Sequence, residues 1–220
     1  MSDRARIFGD IHRALGVTGD EYARRRAVAA RLAAAPEGVI PARGRSGDPV
    51  ALFHAEAERV FATVEQVATP AEIPVRIADF LRAKNLPPRL RKGDDAYLAT
   101  LPWTETTLSV EAGPAQAEDH VSLSRAFAGI AETGTLALVS GSDNPTTLNF
   151  LPETHILVIE ADKIVGDYET FWEMLRAAYG EGAMPRTVNF ITGPSRSADI
   201  EQTLLLGAHG PRALHIIIVD

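Results

Sequence analysis

Apolar residues near the amino end recur at helical spacing. Ile7, Ile11 and Leu15 fall on one face, and Gly16 closes the segment. Residues 21–35 are rich in arginine and alanine, both good helix formers, and predict a second helix. Leu52, Ala55, Val60, Val64 and Val67 predict a third over about 50–67. Ile77, Phe80 and Leu81 predict a fourth over 71–84, its start fixed by Pro70 and Pro74. After Pro87 and Pro88 the period shortens, so that 96–100 and 107–110 read as short strands separated by Pro102 and Trp103.

The second half alternates element types. Residues 121–131 read as a short helix, 135–139 and 155–159 as apolar strands, and 168–179 as a helix burying Phe171, Leu175 and Trp172. A strand over 188–191 leads through Gly193 into a helix that ends at Gly207, and 215–219 closes the chain as a strand. Near-continuous apolar runs mean strands covered on both faces, and helices between them mean parallel pairing. The predicted class is α/β, a mostly parallel sheet flanked by helices, with an N-terminal helical region. Residues 1–49 form that region and its linker, and 50–220 the α/β domain. The linker over 36–49 carries little apolar content and is expected to be mobile or draped over the surface.

A hydrophobic fraction of 45% and a charged fraction of 23% are ordinary for a globular protein. The net charge of −7 argues against a nucleic-acid partner. Asp20 and Glu21 dilute the Arg24, Arg25 and Arg26 cluster into a solvated face. No apolar run reaches the roughly 18 residues of a membrane span, and the amino end lacks a signal-peptide core. No membrane insertion and a cytoplasmic location are expected. With no cysteine, the chain has no disulfide, thiolate nucleophile or cysteine-ligated iron–sulfur cluster. Its six histidines are scattered, so no metal site is expected.

Ligands of open α/β sheets bind beyond the carboxyl ends of the strands. Gly193, Pro194, Ser195, Arg196 and Ser197 follow one predicted strand, with hydroxyls, helix amides and a guanidinium to offer an anion. Ser197 or Asp199 would equally serve as the N-cap of the next helix. Glu132, Thr133 and Gly134 join a helix to a strand. A glutamate in a last helical turn is electrostatically misplaced, which makes Glu132 a candidate general base, nucleophile or ligand anchor, or else a surface carboxylate. Ser142, Asp143 and Asn144 follow the strand over 135–139 and read as a pocket loop or a plain turn. Parallel pairing would bring Ser142 to Asn144 beside Gly193 to Arg196, in a pocket for a small carboxylate or phosphate. His209 falls at the opposite end of the final strand.

Four segments in order carry a family resemblance: Ala131 to Thr135, Leu151 to Ile156, Gly193 to Ser195 with Ala198 to Glu201, and His209 to Pro211. Together they resemble the lactate-utilisation protein C family, the LutC/YkgG type with a LUD domain. The resemblance covers roughly 98–220. Ser197 stands where the family often has threonine. Thr146, Thr147 and Leu148 stand where many relatives have an arginine. The resemblance implies a NagB/RpiA/CoA-transferase-like fold and a role in oxidising L-lactate to pyruvate alongside two iron–sulfur proteins. Clusters are then expected in those partners and no cofactor in this chain. The shared fold also permits an independent enzyme acting on a carboxylate, sugar phosphate or CoA-type substrate. The arginine-rich N-terminal third would be a docking element.

Overall fold

The computed structural model describes residues 3–34, 37–45, 47–180, 182–200 and 203–220, and only the backbone at 198–200 and 203–205. In chain order come α1 (Asp3–Leu15), α2 (Tyr22–Ala34), α3 (Pro49–Arg59), β1 (Thr63–Val67), α4 (Ile73–Ala83), β2 (Arg89–Lys92), α5 (Ala96–Ala99), β3 (Ser109–Ala112) and β4 (Val121–Arg125). They continue with β5 (Ala128–Ile130), β6 (Thr135–Val139), α6 (Thr147–Phe150), β7 (Thr154–Glu160), β8 (Ile164–Val165) and α7 (Tyr168–Tyr179). The last four are β9 (Val188–Ile191), β10 (Arg196–Ile200), β11 (Thr203–Leu206) and β12 (Ala213–Val219).

Six strands form one sheet in the order β1-β12-β7-β4-β2-β3, and every pair is parallel. The apolar runs of β7 and β12 lie side by side near its centre and bury both faces. Ile156, Val158, Ile217 and Val219 pack under Ile73, Ile77 and Leu81 of α4. Leu157, Ile159, Ile216 and Ile218 face the other way, onto Phe53 and Ala57 of α3 and Leu136 and Leu138 of β6. Strand β6 belongs to a second sheet, β8-β5-β6-β9, whose outer face carries α7 through Phe171 and Leu175. The layers therefore run helix, parallel sheet, small sheet with α3, helix.

The α/β class and the parallel sheet agree with the sequence reading, but several elements do not. Residues 121–131 are strands β4 and β5, not a helix. The alternation Val121, Ser122, Leu123, Ser124 sends the apolar pair toward α4 and both hydroxyls to the opposite face. The predicted strand at 96–100 is the helical turn α5, because Asp95 caps it by accepting from the Leu98 amide at 2.7 Å. The predicted helix over 50–67 stops at Arg59, and Thr63 to Val67 pair with β12. The helix expected after Gly193 is the hairpin β10–β11.

The described part of the linker, 37–45, lies over the surface of the domain. Arg43 pairs with Glu56 of α3, a side chain only 5% exposed that also pairs with Arg59 at 2.6 Å. No described residue of α1 or α2 is buried. Among the described residues, no helix is long and apolar enough to cross a membrane.

Candidate functional site

A cavity of about 590 Å³ opens at the carboxyl edge of the parallel sheet. Strand order builds it. Arg125 ends β4, Asp95 follows β2, and Lys163 follows β7. Asp143 and Asn144 come from the loop after β6, and Met174, Ala177, Ala178 and Tyr179 from one side of α7.

The loop after β6 is held in place by its own backbone. The Asp94 amide donates to the Ser142 carbonyl at 2.9 Å, and the Gly141 amide to the Asn144 carbonyl at 3.3 Å. The Asn144 side chain donates through Nδ2 to the Val139 carbonyl at 3.3 Å. Its Oδ1 has no hydrogen-bond partner, although the residue is only 4% exposed. A buried acceptor without a donor is costly to the fold.

The charges nearby are partly matched. Arg125 grips Glu160 with two nitrogens, Nε to Oε2 at 3.0 Å and a second contact to Oε1, and stacks over Tyr97 at 4.5 Å from the ring centre. The hydrogen bond to Glu160 raises the Arg125 pKa, so the guanidinium stays charged. Burial raises the pKa of Tyr97, whose hydroxyl makes no hydrogen bond. Lys163 pairs with its neighbour Asp162 at 3.1 Å. The cavity offers a ligand carboxylates and an apolar surface. Among the described residues no group of three histidines or carboxylates is placed to hold a metal ion.

Of the candidate residues, Asp143 and Asn144 line this cavity and Ser142 anchors its loop. The others lie elsewhere, because β6 and β9 are antiparallel: Val139 pairs with Val188, and Leu136 with Ile191. The carboxyl end of β9 therefore leaves Gly193 to Arg196 at the opposite end of the small sheet from Ser142 to Asn144. Among the described residues, this pairing does not bring them into the single pocket expected. Arg196 lies over the Phe61 ring, 3.4 Å from its centre. Ser195 ties turns together, donating from its amide to the Pro211 carbonyl at 2.8 Å and accepting from the His209 amide on Oγ at 3.3 Å. Pro194 belongs to that same turn, and Ser197 pairs with Leu205 in the hairpin. The backbone of Asp199 is in β10, so no helix needs it as a cap, and its side chain lies outside the described residues.

Glu132 ends no helix either, so the argument from the helix dipole fails. It sits between β5 and β6, 9% exposed, and accepts from the Tyr168 amide at 3.4 Å. Beside it, Thr133 and Thr135 are 2.7 Å apart, and Thr135 reaches Thr192 at 2.6 Å. Gly134 has φ +65°, and a Cβ there would come within 2.6 Å of the Glu56 carbonyl carbon. Glu132, Thr133 and Gly134 thus join the small sheet to α3 and α7. Asp95, Arg125 and Lys163 were missed. The alternation ending at Arg125 was the one local signal that could have found a strand end there.

Beneath α6 lies a second polar group. Ser122 donates to the Leu148 carbonyl at 2.6 Å, and Ser124 lies 3.1 Å from His155 Nε2. Burial alone pushes the His155 pKa down to about 3.

The LUD domain model matches residues 50–219. Lactate utilization protein C of Anoxybacillus flavithermus is 41% identical over 92 residues, which is 41% of this chain and 40% of that protein. Its namesake in Bacillus subtilis is 38% identical over 93 residues, 41% of this chain and 39% of that protein. The matched segment thus spans about 40% of the length of these curated relatives. A DUF162 family protein of Deinococcus radiodurans, known from a crystal structure, shares the fold with a TM-score of 0.59 at 24% identity. That similarity covers 82% of this chain and all of the other. The resemblance to lactate utilization protein C holds in these relatives, and the chain belongs to the LUD domain family.

Proposed function

We propose that this protein is an accessory subunit of lactate utilisation, acting with two iron–sulfur proteins in the oxidation of L-lactate to pyruvate. Its own part is to bind a small molecule in the cavity at the carboxyl edge. The relatives' shared name supports the setting. The observation that carries the division of labour is the cysteine-free sequence. Oxidising lactate releases two electrons, and a cluster that accepts them is usually held by thiolates, which must then come from other chains. The proposed address is the cytoplasm.

The test is lactate-dependent dye reduction by the partner proteins, purified with and without this chain. The rate should depend on its presence, and the isolated chain should show none. Equal rates with and without it would sink the reading.

A second reading has one observation in its favour, the cavity with Asp95 and Asp143 in its wall. An independent enzyme could use such a carboxylate as a general base on a carboxylate, sugar-phosphate or CoA-type substrate. Turnover by the purified chain alone would select it.

A further inference from the structure

We propose that the N-terminal arm is exchanged between two copies of this chain, α1 of each lying antiparallel to α3 in a groove at the edge of the other's parallel sheet.

Helix α1 carries a face that no described residue buries. Arg4, Phe8, Ile11 and Leu15 follow at i, i+4, i+7 and i+11, with Ile7 beside them. The four apolar side chains are between 44% and 63% exposed, and no residue of α1 is buried. Arg4 lies over the Phe8 ring and has no ion pair among the described residues. A helix of 13 residues is marginal in water by itself and draws its stability from covering such a face.

The groove offers a matching surface. Ala51, Ala55 and Glu58 are exposed along one side of α3, and with Asp48, Val50 and Gln66 of β1 they help to line about 440 Å³. Strand β1 is an edge of the parallel sheet. Among the described residues no arginine or lysine lines the groove, and the ion-pair partner of Glu58 is His54, at 3.5 Å. At a rise of about 1.5 Å per residue, the stretch from Arg4 to Leu15 is about 16 Å long and that from Asp48 to Glu58 about 15 Å. Laid antiparallel, α1 sets Arg4 beside Glu58, and Ile11 and Leu15 over Ala55, Ala51 and Val50.

The arm of the same copy leads elsewhere. Helix α3 lies between β1 and β8. The linker crosses on the β8 side, with Gly44 against the Gly166 carbonyl, and Arg31 to Ala33 of α2 share a cleft with Trp172 and Arg176 of α7.

Charge selects a second copy as the occupant. Residues 1–34 hold seven arginines and four carboxylates, whereas 35–220 hold 15 basic and 25 acidic residues. A cationic arm therefore meets an anionic body in another copy, and such complementarity favours the encounter. An anionic membrane would attract the arm but repel the body. Exchange about a twofold axis makes the contact twice, which an interface built on one short helix needs.

Light scattering on the full chain as it leaves a sizing column tests this. At tens of micromolar and low ionic strength it should report a dimer that loosens as salt rises. Ile11→Asp should weaken dimerisation by about tenfold or more, the worth of one buried aliphatic side chain. Arg4→Glu and Glu58→Arg should each weaken it, and the two together in one chain should restore it. All three side chains are exposed, so each variant keeps the body folded. A monomeric chain, a dimer indifferent to Ile11→Asp, or a double variant no better than the single ones would each overturn the proposal. A monomer that sediments with phosphatidylglycerol vesicles would also overturn it and make a lipid surface the occupant.

Discussion

Gly93 lies against the carbonyl oxygen of Asp143, so close that a Cβ on Gly93 would overlap it. The contact locks the turn after β2 onto the loop after β6. With the bond from the Asp94 amide to Ser142, it ties the stretch that carries Asp95 to the loop that carries Asn144.

Gly93→Ala should therefore damage the site more than the fold. The obstacle is a backbone carbonyl and not a flexible side-chain end, so the loop has to move. Overpacking of this kind costs about 1 to 3 kcal/mol. A lowered melting temperature together with weakened ligand binding is the expected outcome. A variant that melts and binds like the parent would show that the loop yields freely.

Arg196→Ala should leave ligand binding in the cavity unchanged. Its guanidinium sits over Phe61, beyond the far end of the small sheet. Removing an exposed contact between a cation and a ring costs about 0.5 to 1 kcal/mol. Calorimetry and a thermal melt check both halves, and a tenfold loss of affinity would contradict the placement.

Why the fold was legible and the site only half so follows from where the information sits. The runs at Ile156 to Ile159 and Ile216 to Val219 are apolar at every position, a pattern that only strands covered on both faces need. Helix α7 announces itself by its spacing and by Asp167, which accepts from the Thr170 amide at 2.9 Å. The stretch from Arg196 to Ile200 has serine and aspartate where a helix cap would stand, yet it pairs with β11 as a strand. Asp143 and Asn144 were visible because they follow an apolar strand locally. Asp95, Arg125 and Lys163 meet them only because β2, β4 and β7 are neighbours in the sheet, an order set by long-range pairing.

Glu56→Gln should release the linker. The carboxylate is buried and shared between Arg43 and Arg59, and hydrogen bonds to charged groups are worth about 1.5 to 3 kcal/mol. Limited trypsin digestion should cut faster after Arg43 or Arg45 in the variant. Unchanged cleavage would mean that Glu56 does not tether this segment.

Acid should destabilise the protein through two histidines. Burial pushes His155 down to about 3 and His215 down to about 4. His215 is stacked on Phe80 with ring centres 4.0 Å apart, and its Nδ1 lies 2.8 Å from the Thr63 hydroxyl. Both rings are neutral in the fold, whereas an unfolded histidine takes a proton near pH 6.5. Below that value the unfolded chain binds more protons than the native one, so stability rises with pH between about 4 and 6.5 and is level above it. At pH 4.5 each histidine should have cost roughly 2 to 3 kcal/mol relative to pH 7.5. Urea unfolding across that range measures the sum, to which protonated carboxylates also contribute. Imidazole resonances separate the two sources: those of His155 and His215 should stay in the neutral form down to pH 5. His155→Gln, though less stable at pH 7.5, should lose less on acidification than the parent. A native His155 signal that titrates near pH 6.5 would refute the account.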